Sequence, residues 1–185
     1  MNPNESVHPL ASENTIQPVN ELTMTVLMTP DMANFAGNVH GGTILKLLDQ
    51  VAYACASRYA ARYVVTVSVD QVIFRERIHV GELVSFLAAV NFTGRSSMEI
   101  GIKVVAENIR SQVQRHVNSC YFTMVAVDDE GCPVSVPPLR PATEKQVKRF
   151  QEAALRKNLR LELGNRLAAK VDRTAANEHS GGLRS

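Results

Sequence analysis

The chain has 185 residues, of which 45% are hydrophobic, and its formal net charge at pH 7 is +2. That length supports one domain with a substantial core rather than two. The nearly balanced charge, the lack of tryptophan and an aromatic content of 5% argue against a nucleic-acid-binding surface. The apolar runs are far shorter than a membrane span, so we expect no membrane insertion.

The first 20 residues predict a flexible polar arm, because they contain neither the basic nor the apolar stretch of a signal peptide. Three cysteines follow, an odd number without the spacing of metal ligands: Cys55, Cys120 and Cys132. We therefore expect free thiols, no metal site and a location in the reducing cytoplasm.

The ordered chain is expected to begin at Glu21, with a strand that ends before Pro30. Residues 31–42 then have the Asn, Asp and Gly content of a loop. The segment from Thr43 to Arg62 predicts one helix, because apolar residues recur at steps of three and four: Ile44, Leu48, Val51, Ala52 and Cys55. Its other faces are also largely apolar, which indicates a buried helix.

After this helix the apolar residues recur at steps of two, which predicts four long strands with short turns between them. These strands begin near Tyr63, Glu82, Ser97 and His116. The order of one strand, one helix and four strands predicts an α+β fold. An antiparallel sheet would wrap around a single long central helix.

A C-terminal helical extension is predicted next. Thr143 and Gln146 have the spacing of a capping box, which indicates a helix over residues 144–163. The predicted organisation is an arm at residues 1–20, one folded domain at 21–137, the helical extension at 138–168 and a disordered tail at 169–185.

The start of the central helix carries the candidate chemistry. Gly41 and Gly42 lack a Cβ, and the first amides of a helix have no internal partner and carry partial positive charge. Such amides can polarise a carbonyl or hold an oxyanion. Asp49 lies inside the same helix, and Asn34 precedes it in the loop. A polarised carbonyl, a carboxylate and an amide that places water together form a hydrolytic set.

Each of these residues also has a structural interpretation. The glycine pair can be a simple turn, Asp49 can cap a loop or pair with an arginine, and His40 can be an ordinary loop residue. A G-x-S-x-G nucleophile motif is lacking, and Cys55 and Cys120 lie in apolar runs typical of a core. The residues alone therefore permit a hydrolase without requiring one.

Four segments occur in a fixed order: Asn38-x-His40-Gly41-Gly42 before a helix containing Asp49, then VVTVSVDQVIF, VGELVSF and TGRSSMEI. In this order they resemble the hotdog-fold acyl-CoA thioesterases, and among them the cytosolic acyl-CoA hydrolases. The resemblance covers residues 21–137 and implies hydrolysis of fatty acyl-CoA to fatty acid and coenzyme A. It implies no separate cofactor, since coenzyme A is part of the substrate, and a hexamer built as a trimer of edge-paired dimers.

The resemblance also implies roles for individual residues. Asn34 and Asp49 would form the catalytic pair, with Asp49 supplied by the partner subunit as general base or as nucleophile. The thioester carbonyl would lie against Gly41 and Gly42. Coenzyme A would contact two strand segments and the C-terminal helix, through Val67, Ser68, Val69, Arg95, Ser96, Ser97, Met98, Arg156 and Lys157. For Arg156 and Lys157, a solvated helix face is the alternative.

Two other functions fit a hotdog domain. A hydratase or dehydratase needs a catalytic histidine, and His40 is nearby, but the H-F-P-x-x-P-x-x-P-G pattern is lacking. A non-catalytic acyl-CoA sensor is often fused to a DNA-binding helix pair, for which the N-terminal arm is too short and polar.

Overall fold

A computed structural model describes the backbone of residues 18–181 and the side chains through residue 169. Its strands are β1 (Glu21–Leu27), β2 (Tyr63–Val69), β3 (Leu83–Thr93), β4 (Ser97–Asn108) and β5 (Val113–Val127). Its helices are α1 (Gly41–Ala60) and α2 (Glu144–Gly181), and a short 3-10 turn at Pro30–Met32 precedes α1. Most of the predicted N-terminal arm, residues 1–17, lies outside the described residues.

The five strands form one antiparallel sheet in the order β1-β3-β4-β5-β2. Alternate residues of the inner strands are buried, among them Phe86, Ile100 and Phe122, and they pack with Ile44 and Leu48 of α1. Since α1 contacts all five strands, the predicted α+β fold with a sheet around a central helix is confirmed. In this sheet β1 and β2 are the two edge strands.

The bounds of helix α1 and the end of strand β2 differ from the prediction. Helix α1 begins at Gly41 and ends at Ala60, where Ala61 adopts a left-handed conformation with φ of 50°. Strand β2 ends at Val69, although the β-branched pattern extends to Glu76. Beyond Val69 the segment touches β5 through single backbone bonds, from Asp70 to Tyr121 and from Arg75 to Val117, so no ladder forms.

The central helix is not buried on every side, which corrects the prediction from its composition. Leu45, Asp49 and Tyr53 are exposed, and they follow one another at steps of four on one face. Strand β2 is similarly exposed through Tyr63, Val65, Val67 and Val69. The described chain therefore leaves an apolar surface at the β2 edge of the sheet.

Helix α2 begins with the predicted capping box. Gln146 N donates to Thr143 Oγ1 at 3.2 Å, and Thr143 N donates to Gln146 Oε1 at 3.3 Å. The helix continues to Gly181, well past the predicted end at residue 163, and residues 182–185 of the predicted tail lie outside the described residues. Alanines interspersed among its polar residues favour a helix even where the apolar pattern has stopped.

Ion pairs anchor α2 across the outer face of the sheet. Arg149 pairs with Glu21 of β1 at 3.2 Å, and Arg160 pairs with Asp70, just after β2, at 2.6 Å. Between them Arg156 pairs at 2.7 Å with Glu99 of β4, a carboxylate that is only 3% exposed. A buried charge is stable only when paired, so Glu99 holds α2 against the sheet.

We expect Ala61→Gly to raise the free energy of unfolding by about 0.5–1 kcal/mol, because glycine adopts the left-handed conformation without strain. The matched control is Ala60→Gly, one residue earlier. This change should lower the free energy of unfolding by about 0.5–1 kcal/mol or more, because Ala60 is helical and buried. Urea unfolding of the two variants measures both changes. If both variants were less stable than the wild type, the proposed backbone strain at Ala61 would be contradicted.

Candidate active site

The loop before α1 holds Asn34 in one orientation. Its Oδ1 accepts hydrogen bonds from the backbone amides of Ala36 at 2.9 Å and Asn38 at 3.1 Å. Two N–H donors on one side-chain atom identify that atom as the oxygen, so Nδ2 is the free end. Among the described side chains, none accepts a hydrogen bond from Asn34 Nδ2. The loop thus presents an amide NH2 group with its donors available.

The first amides of α1 are not equivalent. His40 is the N-cap residue, and its Nδ1 accepts a hydrogen bond from Gly42 N at 2.9 Å. The prediction that Gly42 supplies the polarising amide therefore needs correction, because the Gly42 N–H already donates to His40. Within residues 18–181, the amide of Gly41 has no hydrogen-bond acceptor. The free positive end of the helix thus lies at Gly41.

Asn34 and Gly41 line one pocket of about 440 Å³. Its opposite wall is the segment from Phe74 to Ile78. A backbone bond from Val39 N to Ile78 O at 2.8 Å and a bridge between Asn38 and His79 hold the two walls together. Two residues that carry free N–H donors therefore line the same pocket, and two such donors suit a carbonyl oxygen that gains negative charge.

Asp49 occupies a different place on the same chain. It lies eight residues after Gly41, about 12 Å along the helix axis, and does not line this pocket. Its Oδ1 accepts a hydrogen bond from Thr66 Oγ1 of β2 at 2.7 Å. Within one chain, the predicted catalytic groups therefore lie in two places. The donors of Asn34 and Gly41 are at the pocket, and the Asp49 carboxylate is at the exposed β2 edge.

Thr66 is a hydrogen-bond partner of Asp49 that the sequence analysis missed. Its hydroxyl fixes one carboxylate oxygen of Asp49. The available signal was weak, because threonine is common in strands for its β-branched shape. Its position in the first strand after the helix, on the side that faces the helix, is what brings it to Asp49.

A second pocket, of about 170 Å³, brings together four of the residues predicted to contact coenzyme A. They are Ser68 of β2, Ser97 and Met98 of β4, and Lys157 of α2. The Lys157 ammonium lies 5.1 Å from the centre of the Phe92 ring, and no described carboxylate lies within ion-pair distance of it. Thr123, Arg160 and Glu99 also line this pocket, which therefore contains three hydroxyls, two cations and one carboxylate.

The other predicted contacts are dispersed. Val67 and Val69 are exposed on the β2 edge. Arg95 is exposed and Ser96 half-buried at the turn between β3 and β4, and their carbonyls accept backbone bonds from Val136 and Ala126. This turn directly precedes Ser97 in the sequence, but neither Arg95 nor Ser96 lines the second pocket.

Two predicted contacts need correction. Met98 is 1% exposed and packs in the hydrophobic core, so its side chain is unavailable to a surface-bound nucleotide. The guanidinium of Arg156 donates two hydrogen bonds to Glu99 and lies 3.6 Å from the centre of the Tyr121 ring. We therefore assign Arg156 to anchoring α2 rather than to a solvated helix face.

The cysteines behave as the sequence predicts. Cys55 and Cys120 are buried, and burial raises the pKa of each thiol to about 12. Both are therefore protonated at neutral pH and unsuited to nucleophilic attack.

Among the described residues, no cluster of three or more His, Cys, Asp or Glu side chains is suited to a metal ion. None of the described helices is long and apolar enough to cross a membrane.

Comparison with known proteins adds independent information. A model of the thioesterase superfamily matches residues 36–112. The chain is 48% identical over 140 residues to protein VdlD of Helicobacter pylori, covering 76% of this chain and 80% of that protein. It also resembles a solved apo-hexameric acyl-CoA thioesterase, with 33% identity and a TM-score of 0.75, over 78% of this chain and 92% of that one.

A solved acyl-CoA hydrolase from Staphylococcus aureus is 26% identical, with a TM-score of 0.70, over 87% of this chain and 94% of that one. Its structures include complexes with butyryl coenzyme A and coenzyme A, and alanine variants of one asparagine, one aspartate and one threonine. In that enzyme the aspartate follows the asparagine by 15 positions, and the threonine follows the aspartate by 17. Asn34, Asp49 and Thr66 have the same spacing here.

Proposed function

This chain belongs to the thioesterase superfamily, and we propose that it hydrolyses fatty acyl-CoA thioesters to a fatty acid and coenzyme A. The observation that carries this proposal is that Asn34 and Gly41, each with an N–H donor that has no acceptor in the described chain, line one pocket. Two such donors stabilise the oxyanion that forms when water attacks a thioester carbonyl. The hydrolase relatives support the same chemistry.

In the proposed reaction, Asp49 acts on the water. Thr66 holds Oδ1, so Oδ2 is free to take a proton as the water oxygen attacks the carbonyl carbon. The tetrahedral oxyanion then collapses, the C–S bond breaks, and the leaving thiolate takes a proton. Direct attack by the Asp49 carboxylate, which would form an anhydride that water hydrolyses, is the alternative route.

The donor pair and the carboxylate meet when two copies of the chain associate. We propose that β2 pairs with β2 of a second copy, which joins the two sheets and covers the exposed apolar side chains of β2 and α1. Asp49 of one copy would then serve the pocket of the other. The related apo-hexameric thioesterase supports a larger assembly, and we propose a trimer of such dimers.

The second pocket is the proposed position of coenzyme A. Ser68 and Ser97 offer hydroxyls, and Lys157 offers an ammonium without an ion-pair partner in the described chain. A cation there suits an anionic phosphate. Four further residues are neighbours of Ser68 or lie just before Ser97 in the sequence, and we propose that they also contact the coenzyme: Val67, Val69, Arg95 and Ser96. We propose no separate cofactor and a cytoplasmic location.

The first prediction tests the carboxylate. Asp49→Asn should lower kcat at least about 100-fold, because an amide neither takes a proton from water nor attacks as a nucleophile. Thr66→Val should lower kcat about 10-fold by freeing the carboxylate, and Thr66→Ser, which keeps the hydroxyl, should restore most of it. Thiol release from acyl-CoA esters of increasing chain length measures all three.

The outcomes separate this function from its rivals. Thiol release by the wild type that is lost in Asp49→Asn supports the hydrolase. An enoyl-CoA product would indicate a dehydratase. Binding of acyl-CoA by the wild type without any turnover would indicate a sensor and would end the catalytic proposal.

The second prediction tests the donor on Asn34. Asn34→Asp keeps the oxygen that accepts the bonds from Ala36 and Asn38 but removes the free NH2 group. We expect kcat to fall about 100-fold or more, as for loss of one oxyanion donor. Asn108→Asp is the matched control, because Asn108 caps its own turn in the same way, through Arg110 and Ser111, and does not line this pocket. Equal activity in the two variants would remove Asn34 from the catalytic set.

The third prediction tests the coenzyme position. Lys157→Ala should raise KM for acyl-CoA about 10-fold with little change in kcat, because the lost cation contacts a part of the substrate away from the reacting carbonyl. Lys145→Ala, on an exposed position of the same helix, should leave KM unchanged. An unchanged KM in Lys157→Ala would show that the phosphates of coenzyme A bind elsewhere.

A further inference from the structure

One face of α2 lies on the sheet and then continues beyond it. Arg149, Ala153, Arg156 and Arg160 recur at steps of four, three and four, and each is in contact with the sheet or buried against it. The next positions of this row, at steps of three and four, are Leu163 and Leu167. These leucines are 58% and 56% exposed.

The direction of α2 explains why they are exposed. From Arg149, over β1, to Arg160, at the end of β2, the helix advances about 16 Å, and four strand spacings are about 19 Å. Helix α2 therefore crosses the sheet nearly at right angles to its strands. From Arg160 to Gly181 it runs for about 30 Å more, past the β2 edge.

We propose that this overhang, residues 163–181 of α2, docks on the outer face of the sheet of a second copy of the chain. The docking site is a pocket of about 410 Å³ between β2 and the end of β5, lined by Tyr63, Val65, Val127, Asp128, Asp129 and Gly131. This inference rests on the proposed pairing of two β2 strands. It adds a second contact, made by the helix, to the contact between the strands.

The symmetry of a dimer places the overhang at this pocket. When a strand pairs with its own copy about a two-fold axis perpendicular to the sheet, the two strands are antiparallel. The end of β2 near Ser68 and Asp70, where α2 leaves its own sheet, then lies opposite the start of β2 in the second copy. Tyr63 and Val65 are at that start.

The helical rise agrees with the strand spacing. Leu163 lies about 4.5 Å beyond Arg160 along the axis, and the first strand of the second copy lies about 4.8 Å beyond β2. Leu167 lies about 10.5 Å beyond Arg160, and the next strand, β5 of the second copy, lies about 9.6 Å away. The two leucines therefore reach the Tyr63–Val65 end of β2 and the Val127 end of β5.

The surface area of a stable dimer also favours a second copy as the occupant. A standard interface buries roughly 800 Å² per partner, with about 20–30 residues on each side. Strand β2 has seven residues, so its edge supplies only part of that surface. The overhang supplies apolar surface on the helix and covers Tyr63, which is 61% exposed.

The overhang also affects the proposed coenzyme position. Lys157 is one residue from Arg156 and less than two helical turns from Leu163, and its pocket borders Ser68 on the edge strand. A helix fixed at both sides of the dimer boundary holds the Lys157 ammonium in place there. We therefore expect the overhang to influence KM for acyl-CoA as well as association.

Two double variants test the docking. Leu163→Glu with Leu167→Glu should raise the dissociation constant of the dimer at least 10-fold, measured by sedimentation of the full chain. The matched control is Leu155→Glu with Leu159→Glu, two similarly exposed leucines of the same helix, also four residues apart, each about 80° around the helix axis from its counterpart in the tested pair. Equal effects of the two pairs, or none from the first, would overturn the proposal.

A crosslink tests the position directly and does not depend on activity. Cys132 is exposed and follows Gly131 of the docking pocket, whereas Cys55 and Cys120 are buried. A short bismaleimide should join Leu167→Cys to Cys132 of another chain and give a band of twice the mass, which Cys132→Ser abolishes. Leu155→Cys should give little.

Absence of that band, or equal bands from both sites, would overturn the docking whatever the activity. A crosslinked dimer that releases no thiol would instead retain the docking and end the proposed hydrolysis.

Discussion

The open edge of β2 is the constraint on which the rest of the molecule depends. An edge strand presents unpaired backbone groups and, here, a row of exposed apolar side chains from Tyr63 to Val69. The same strand carries Thr66, whose hydroxyl holds Asp49. In the proposed dimer, covering this edge and completing the active site are therefore one event. In that dimer, the exposed carboxylate of one chain would work with the donor pair of the other.

The two halves of the proposed site are preorganised in different ways. Asn34 is oriented by two backbone donors within a short loop, and Gly41 retains a free amide because His40 occupies the neighbouring one. Asp49 is oriented across elements, by a strand that follows the helix. Neither half contains enough chemistry alone: donors without a base bind a carbonyl, and a base without donors leaves the oxyanion unstabilised. This division gives a physical reason for catalysis to require association.

Helix α2 connects this edge to the outer face of the sheet. The Arg156–Glu99 pair is nearly buried and is supported by the ring of Tyr121, so the helix is held at its middle as well as at both ends of its crossing. Gly101 is part of the same arrangement, because a Cβ there would lie 2.2 Å from Asn91 Nδ2, beside Glu99. The polar groups under α2 therefore fix the helix in one place, which sets the position of Lys157 and the direction of the overhang.

The sequence by itself determined the order of elements, the antiparallel sheet around one helix, the capping box at Thr143 and the burial of Cys55 and Cys120, because periodicity and local turn chemistry are properties of neighbouring residues. Only the tertiary structure decided that Gly41 rather than Gly42 has the free amide, that Thr66 reaches Asp49, and that Met98 and Arg156 are taken up by the core and by Glu99. Those outcomes depend on contacts between residues far apart in the chain. The exposed face of α1 was misjudged for a related reason, since apolar residues that cover an interface look the same in sequence as residues of a core.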